Sequence, residues 1–264
     1  MSATRHSERR DGLGMLGDVR WEPDRGTAVA FLSYLGVVVG LLLAFQVFTT
    51  ARVAANFITY GVVTLAALGV ALPVLYTVFV ERHPLTDLGI TARNLIPSLA
   101  LGLLLGLDTY RATLANVPLS WGWAHVPLIV MALAVGLFEA VFFRGWLQLR
   151  FEKSFGAVPG LVLGALCYML YHVGYGMTLQ EMLPLFGYGL VFGAVFRLAG
   201  SVFVLWPFYT PVGGLYTTVT DGLTMPFEAT IGFVLVLVMM AGVIAAGAWQ
   251  TRRSPRTELR LKTG

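Results

Sequence analysis

The chain has 264 residues, of which 57% are hydrophobic and only 12% are charged, and its mean hydropathy is +0.76. About a quarter of the residues of a soluble domain are charged, so this composition excludes an ordinary soluble protein and predicts an all-α integral membrane protein. The formal net charge of +4 lies largely in the two tails, which favours contact with membrane lipids over nucleic acid, for which no binding module is present.

Residues 1–26 form a polar segment in which arginines alternate with acidic residues, and they contain no apolar core of the signal-peptide type. We therefore expect no cleaved signal, and the first span serves as the membrane anchor. Residues 27–250 are predicted to form the transmembrane bundle, and residues 251–264 a second, basic tail.

Apolar runs predict a bundle of about eight transmembrane helices, because roughly 20 apolar residues cross a bilayer. The runs lie at about Thr27–Phe48, Val53–Val80, Leu95–Leu107, Val126–Leu149, Gly156–Tyr175, Leu183–Leu198, Val202–Val219 and Phe227–Trp249. The third is short, so its helix either continues past Asp108 and Arg111 or ends at the interface. In the seventh, two prolines and two glycines between Trp206 and Gly214 predict a kink or a break.

The distribution of lysine and arginine indicates the orientation of these spans. If both termini are cytoplasmic, the cytoplasmic loops receive most of the basic residues, whereas the outer loops hold only Arg52 and Arg111. We therefore predict that both termini are cytoplasmic. Small-xxx-small pairs within three spans predict that the helices pack closely, and these pairs are Gly102 and Gly106, Gly160 and Gly164, and Gly189 and Gly193.

Two titratable residues on consecutive spans are the leading candidates for chemistry. Glu139 lies in the stretch from Gly136 to Gly145, inside an apolar run, and His172 lies near the end of the next span. Ionisable groups at such depth cost several kcal/mol, about 3 on insertion scales, so they are rarely present without a role. Glu139 has the chemistry of a general base; the alternative is a carboxyl that only hydrogen-bonds between helices. His172 is either its partner in proton transfer or a neutral residue that joins two helices.

Arg144 and Tyr168 are the supporting residues around this pair. In a regular α-helix Arg144 lies about 140° away from Glu139, which is poor for a direct pair, and the residue at i−4 is Ala140. Arg144 therefore either extends to the cytoplasmic interface or finds an acceptor on another helix. Tyr168 is four residues before His172, so the phenol and the imidazole share a face on which they can hydrogen-bond.

Other familiar sites are absent from the sequence. A single cysteine, Cys167, excludes an internal disulfide and any CxxC motif. No HExxH or HxxEH occurs, so we predict neither a metal site nor a cofactor. Ser201 has no GxSxG context, so a serine protease is not supported. His125 lies at a helix entry rich in tryptophan, and we predict that it lies at the level of the lipid headgroups.

These residues together resemble the CPBP intramembrane proteases, a family that includes the type II CAAX prenyl endopeptidases and the bacterial Abi and bacteriocin self-immunity proteins. Glu139, Arg144 and Gly145 match the EExxxR motif followed by glycine, and Tyr168 and His172 match the FxxxH motif with an aromatic substitution. The likeness extends over about residues 82–214, which would form a protease-like core.

The resemblance implies an eight-helix bundle around a cavity in which Glu139 and His172 activate a water that attacks a peptide bond, without a catalytic metal. The substrate would be a membrane-associated or lipid-modified peptide, and the location would be the cell membrane of a prokaryote. Two positions depart from the family pattern. Ala140 replaces the second glutamate, and the third motif, normally a histidine and then Asn or Asp, reads Phe208-Tyr209-Thr210-Pro211. Tyr209 or Thr210 would then be the hydrogen-bond donor to the oxyanion.

Three classes of function therefore remain open at this point. The first is a glutamate-type intramembrane endopeptidase, supported by the retention of Glu139 and His172. The second is a catalytically impaired pseudo-protease that acts as a membrane scaffold, chaperone or immunity factor for a protein partner, supported by the altered third motif. The third is a transporter, which the small number of charges within the spans disfavours.

Overall fold

The computed structural model describes residues 19–48, 52–117 and 122–253. Most of the predicted N-terminal tail, the C-terminal tail from residue 254 onward and Trp121 of the predicted helix entry lie outside the described residues. The described part of the chain is built of helices joined by turns, in agreement with the all-α prediction.

The described residues contain eight helices, which are α1 (Arg25–Phe48), α2 (Val53–Val80), α3 (Leu95–Ala112), α4 (Trp123–Phe155), α5 (Ala157–Tyr175), α6 (Leu179–Ala199), α7 (Tyr209–Thr220) and α8 (Ala229–Arg253). Short 3-10 turns occur between helices at Leu85–Leu88, Leu114–Asn116 and Val202–Val204. Six helices, all except α3 and α7, are long and apolar enough to cross a membrane. The protein is therefore an integral membrane protein in contact with lipid, as its composition predicted.

The third and seventh predicted spans differ most from the observed helices. The third helix continues past Asp108 and Arg111 and ends at Ala112, which decides between the two alternatives. The seventh predicted span, Val202–Val219, is not one continuous helix, because a 3-10 turn at Val202–Val204 is followed by turns and only then by α7. Proline lacks an amide hydrogen and interrupts a helix, so Pro207 falls in the gap, whereas Pro211 is tolerated in the first turn of α7. The predicted break is thus confirmed.

Helix α4 lies at the centre of the bundle. Of its most apolar 18-residue window, 72% is buried, against 22–50% for the other five candidate spans. It packs against α5, α7 and α8, and the first two of these also carry predicted site residues. Most side chains that project from α4 therefore face protein.

The paired glycines lie at close helix contacts, as predicted. A Cβ on Gly102 would come within 2.5 Å of the backbone oxygen of Val204, and one on Gly160 within 2.3 Å of the backbone nitrogen of Glu152. A Cβ on Gly189 would lie 3.0 Å from the Cα of Ala165. The first two distances are too short for a side chain, and the third is tighter than an ordinary contact. The glycines therefore set how closely α3 approaches the turn at Val202–Val204, α5 approaches α4, and α6 approaches α5.

Charged side chains join the last turns of α4 to neighbouring elements. Arg150 pairs with Glu81 at the end of α2, and its guanidinium lies 4.5 Å from the centre of the Trp146 ring. Glu152 pairs with Arg197 of α6 and also accepts a hydrogen bond of 2.9 Å from the Gln148 amide. The arginines of both pairs are thus compensated by carboxylates on other elements.

The segment that leads into α1 lies along the same end of α4. The amide of Glu22 donates to the backbone oxygen of Ser154 at 2.9 Å, and the hydroxyls of Thr27 and Ser154 lie 2.6 Å apart. Asp24 caps α1 by accepting from the Thr27 amide and pairs with Lys153 at 2.7 Å. The Lys153 ammonium holds the pKa of Asp24 well below its ordinary value, so this carboxyl is ionised at neutral pH.

Candidate functional site

Helix α4 carries both Glu139 and Arg144, and its winding changes between them. The helix is α-helical up to Glu139 and π-helical from Ala140 to Gln148. Because π-helical hydrogen bonds run from i to i+5, residues five apart lie roughly one turn apart on the same side. The predicted angle of about 140° between these two side chains assumed α-helical geometry. That angle does not apply here, because the segment after Glu139 is π-helical.

Gly145 allows the loop after α2 to reach this part of α4. A Cβ at this position would lie 2.3 Å from the backbone oxygen of Leu88, in the 3-10 turn Leu85–Leu88. Only a residue without a side chain fits such an approach. The glycine that follows Arg144 in the sequence motif is therefore a packing residue that holds the turn against the central helix.

Glu139 is buried, with 9% of its surface exposed, and its carboxyl has a phenol partner from another helix. The hydroxyl of Tyr171, in α5, donates a short hydrogen bond to Oε1 of Glu139. Tyr168, one turn earlier on α5, is a second phenol close to the same carboxyl. The carboxyl oxygens are thus oriented by α5 although Glu139 itself belongs to α4.

The end of α5 presents a cluster of aromatic residues around His172. The regular α-helix ends at Leu170, and a 3-10 turn from Tyr171 to Tyr175 carries the histidine. The ring of Tyr171 lies 4.1 Å from the imidazole, measured between ring centres, and the ring of Tyr168 lies 5.3 Å away. These rings fix the plane of the half-buried imidazole.

The hydrogen bonding of His172 differs from the predicted phenol contact. Its Nδ1 lies 2.9 Å from the backbone oxygen of Tyr168, and the two rings meet edge to face. A carbonyl oxygen only accepts hydrogen bonds, so Nδ1 carries the proton and Nε2 of the neutral ring keeps its lone pair. That nitrogen is the one left for proton transfer.

Glu139 and His172 share a neighbour but form no ion pair or hydrogen bond with each other in the described structure. Tyr171 contacts both, because its hydroxyl binds Glu139 and its ring packs on the imidazole. Side chains linked in this way belong to one interior region formed by α4 and α5. Within the described residues, no group of three or more His, Cys, Asp and Glu side chains comes together in the manner of a metal site.

Arg144 extends neither to an interface nor to an acidic acceptor. It is 1% exposed, and its guanidinium lies over the ring of Tyr168, 5.0 Å from the ring centre. A cation over an aromatic face is attracted by the ring quadrupole. Its neighbour on another helix is therefore an aromatic ring, and its two terminal nitrogens have no hydrogen-bond partner within the described chain.

The two predicted oxyanion donors have different surroundings. The ring of Tyr209 packs edge-on against Phe192 at 4.9 Å, and its polar neighbours are Asp108 and Tyr188, not Glu139. The hydroxyl of Thr210 is buried and donates a long hydrogen bond of 3.4 Å to the backbone oxygen of Gly136, in the same helix as Glu139 and one turn before it. Of the two, Thr210 is the one that reaches the helix of Glu139.

Tyr171 is the site residue that sequence reasoning did not single out. It directly precedes His172 and belongs to a series of tyrosines at positions 168, 171 and 175. Tyrosines three and four residues apart in an apolar span share one helix face, and each needs a partner for its hydroxyl. That pattern would have indicated a polar patch on α5 facing a group such as Glu139.

A comparison with known protein families finds a match in the region that contains these residues. A family model described as Rce1-like, type II CAAX prenyl endopeptidase Rce1-like, matches residues 121–210. That segment resembles the CAAX proteases. The match supports the CPBP and CAAX-protease family predicted from the motifs and confirms that resemblance. No curated protein and no solved structure matched the chain.

The segment that resembles the CAAX proteases contains all the candidate residues. It spans α4, α5, α6 and the start of α7, and so includes Glu139, Arg144, Tyr168 and His172. The match is narrower than the predicted core of residues 82–214 and ends at Thr210. The likeness to the CAAX proteases therefore coincides with the central helix and the helices that pack around it.

Proposed function

We propose that this protein is a glutamate-type intramembrane endopeptidase that hydrolyses a peptide bond in a membrane-associated or lipid-modified peptide. The observation that supports this function best is the buried carboxyl of Glu139, held by the Tyr171 phenol within the segment that resembles the CAAX proteases. A carboxylate kept away from bulk water and aimed by a fixed donor is suited to take a proton from one bound water.

In the proposed reaction Glu139 removes a proton from that water while the oxygen attacks the carbonyl carbon of the peptide bond. The tetrahedral intermediate collapses when the carbon–nitrogen bond breaks, and the proton held by Glu139 passes to the leaving amine. His172, through Nε2, is the proposed partner in proton transfer, since its Nδ1 is engaged by the backbone oxygen of Tyr168. The reaction consumes one water and yields a carboxylic acid and an amine, which at neutral pH become a carboxylate and an ammonium ion.

Charge that develops on the carbonyl oxygen needs a hydrogen-bond donor, which is typically worth about 3 kcal/mol. Thr210 and Tyr209 were predicted for this role. The position of Thr210 beside Gly136 supports it over Tyr209, whose polar neighbours are Asp108 and Tyr188.

The experiment that tests this function compares purified wild type with Glu139→Gln in detergent or proteoliposomes. Release of a fragment from a lipidated peptide, measured by mass spectrometry, is expected for the wild type and absent in the variant, because an amide is no base. Glu228→Gln is the matched control, since Glu228 is exposed at the start of α8, and it is expected to cleave normally. Cleavage by Glu139→Gln at the wild-type rate would remove Glu139 from the mechanism.

The second candidate is a pseudo-protease that keeps the fold and binds a protein or lipidated partner without cleaving it. The observation that favours it is the sequence from Phe208 to Pro211, which supplies neither histidine nor asparagine where the CAAX proteases carry their third motif. On this alternative the wild type releases no fragment, and Glu139→Gln supports the cellular phenotype as well as the wild type does.

The proposed location is the cell membrane of a prokaryote with both termini in the cytoplasm, as the distribution of basic residues predicted. Alkylation of single cysteines placed in the loops by a membrane-impermeant reagent measures this orientation. A cysteine at position 93 is expected to be protected in intact cells and one at position 52 to react.

A further inference from the structure

A series of three phenol hydroxyls leads away from the carboxyl of Glu139. The first is Tyr171, whose hydroxyl donates to that carboxyl. The second is Tyr175, whose ring lies 5.8 Å from the Tyr171 ring between centres and whose hydroxyl has that of Tyr171 as a hydrogen-bonding neighbour. The third is Tyr60 of α2, with its hydroxyl 3.4 Å from that of Tyr175. The series therefore runs from α4 through α5 to α2.

The series reaches a polar edge of the bundle. Tyr175 is half-buried and is the last residue of α5. The exposed Gly176 follows it, and a Cβ there would lie 2.6 Å from Nε2 of Gln46, an exposed amide of α1. Thr178 and Glu181, which form the exposed cap of α6, come next along the chain. Tyr175 thus lies between the buried carboxyl and the polar groups at this end of the bundle.

A base as deeply buried as Glu139 needs a path for its proton. Only 9% of its surface is exposed, and a carboxyl that has taken up a proton must release it before it acts as a base again. A charged carrier in an apolar interior costs about 3 kcal/mol or more, whereas a neutral hydroxyl accepts one proton and donates another. The titratable groups around this carboxyl are Arg144, Tyr60, Tyr168, Tyr171 and Tyr175.

These neighbours differ in whether they lead outward. A guanidinium has donors and no acceptor, so Arg144 cannot receive a proton. Tyr168 is 6% exposed and its ring packs against that guanidinium, so it leads back into the interior. Tyr171 and Tyr175 are the phenols that lie between Glu139 and the polar edge.

We infer that Tyr171 and Tyr175 form a proton relay between Glu139 and the polar edge at the end of α5. The inference rests on the proposed function, because it says how the proposed base gains and loses its proton. In uptake, the Tyr171 hydroxyl gives its proton to the Glu139 carboxylate, the Tyr171 oxygen takes one from Tyr175, and the Tyr175 oxygen takes one from hydronium at the edge. Each O–H bond that breaks is replaced, both phenols end neutral, and release to water runs in reverse. Each step crosses one hydrogen bond or one bridging water.

Tyr60 is a positioning residue for this relay. It is 5% exposed, and the rings of Phe45 and Phe233 pack edge-on against it at 5.0 and 6.2 Å between centres. A buried phenol held in this way needs a partner for its hydroxyl, and Tyr175 is that partner. Tyr60 lies outside residues 121–210, so this part of the relay is not contained in the segment that resembles the CAAX proteases.

The test follows proton exchange at Glu139 without any peptide. The full-length protein in detergent is mixed rapidly to a new pH, and infrared difference spectroscopy records how fast the carboxyl of Glu139 gains its proton, with Glu139→Gln identifying the band. Tyr175→Phe keeps the ring and removes the hydroxyl, so it is expected to slow this step about tenfold or more. Tyr60→Phe is expected to slow it about threefold, because Tyr175 then loses the partner that orients it.

Tyr34→Phe is the matched control and is expected to exchange at the wild-type rate. Tyr34 is also buried, at 6% exposure, but it belongs to α1 and its ring neighbour is Phe31. The direction of the change separates a relay from packing, because a loosened bundle admits water and speeds exchange, whereas a broken relay slows it. An unchanged or faster rate in Tyr175→Phe, or equal slowing in Tyr34→Phe, overturns the inference.

The remaining outcomes also decide the question. If Tyr175→Phe does not fold, an unchanged or faster rate in Tyr60→Phe overturns the inference. A Glu139 carboxyl that does not titrate between about pH 4 and 10 overturns it as well. Cleavage of a lipidated peptide is scored separately on wild type. Slowed exchange in the tyrosine variants without cleavage by wild type retains the relay and rejects the hydrolase, whereas cleavage with unchanged exchange rejects the relay alone.

Discussion

The hydroxyl of Tyr171 donates to the carboxylate of Glu139 and so connects α5 directly to the central helix α4. The same tyrosine packs its ring on His172, 4.1 Å away between ring centres. One side chain therefore contacts both candidate catalytic groups. Its contribution is separable from theirs, because phenylalanine keeps the ring and removes only the hydroxyl.

Tyr171→Phe is accordingly expected to lower kcat about tenfold or more with little change in KM, since the loss of a charge-assisted hydrogen bond costs about 1.5–3 kcal/mol. Steady-state cleavage of the lipidated peptide measures this, and Tyr216→Phe, on a partly exposed tyrosine of α7, is the matched control. Unchanged kcat at a normal thermal midpoint would show that the hydroxyl does not position the base.

Gly145→Ala is expected to destabilise the bundle by about 1–3 kcal/mol, because its Cβ would lie 2.3 Å from the backbone oxygen of Leu88. Gly187→Ala is the control, since no atom lies within 4 Å of a Cβ at this position. Replacing glycine by alanine inside a helix stabilises it by about 0.5–1 kcal/mol. Thermal unfolding in detergent measures both variants. A decrease in the thermal midpoint of Gly187→Ala as large as that of Gly145→Ala would contradict the packing argument.

Arg197→Gln removes the partner of Glu152, whose side chain is only 10% exposed. A buried carboxylate left without its cation is costly, so we expect a loss of about 2–4 kcal/mol in stability. The double variant Glu152→Gln with Arg197→Gln is expected to be more stable than Arg197→Gln alone, because no charge is then left unpaired. Equal thermal midpoints for the single and double variants would show that the pair contributes little.

Asp24→Ala is expected to destabilise the protein by about 1 kcal/mol at neutral pH, chiefly through the lost cap of α1. The pKa of Asp24 is lower in the folded protein than in the unfolded chain. Its contribution is therefore complete above the ordinary aspartate pKa, about 3.9, and is lost as pH falls through the lower folded value. Thermal midpoints of wild type and variant are expected to differ at pH 7 and to converge in strong acid; a gap that widens in acid would contradict this.

The length and apolar character of the segments predicted most helices well, and the range predicted for α2, Val53–Val80, agrees with the observed helix. These helices are predictable because a bilayer sets a minimum apolar length. The winding of α4 was not predictable in the same way. A change from α-helical to π-helical hydrogen bonding at Ala140 depends on packing within the bundle, and it changes the side on which Arg144 lies.

Contacts between spans were likewise not predictable, because a sequence pattern describes one helix at a time. Apolar context identified Glu139 and His172 as unusual residues, but the rotation of α4 and α5 decides which side chain lies between them. That residue is Tyr171, which the sequence patterns did not single out. The roles of Glu139 and His172 in catalysis remain predictions.

The contacts of Glu22, Asp24 and Thr27 with the end of α4 have a mechanical consequence. A force applied to the chain at residue 19 would pass through these bonds to Lys153 and Ser154 before it stretched the first span. The helix that holds Glu139 would therefore bear the force before α1 does. Pulling on a tether attached at residue 19 would measure the mechanical resistance of the central helix α4.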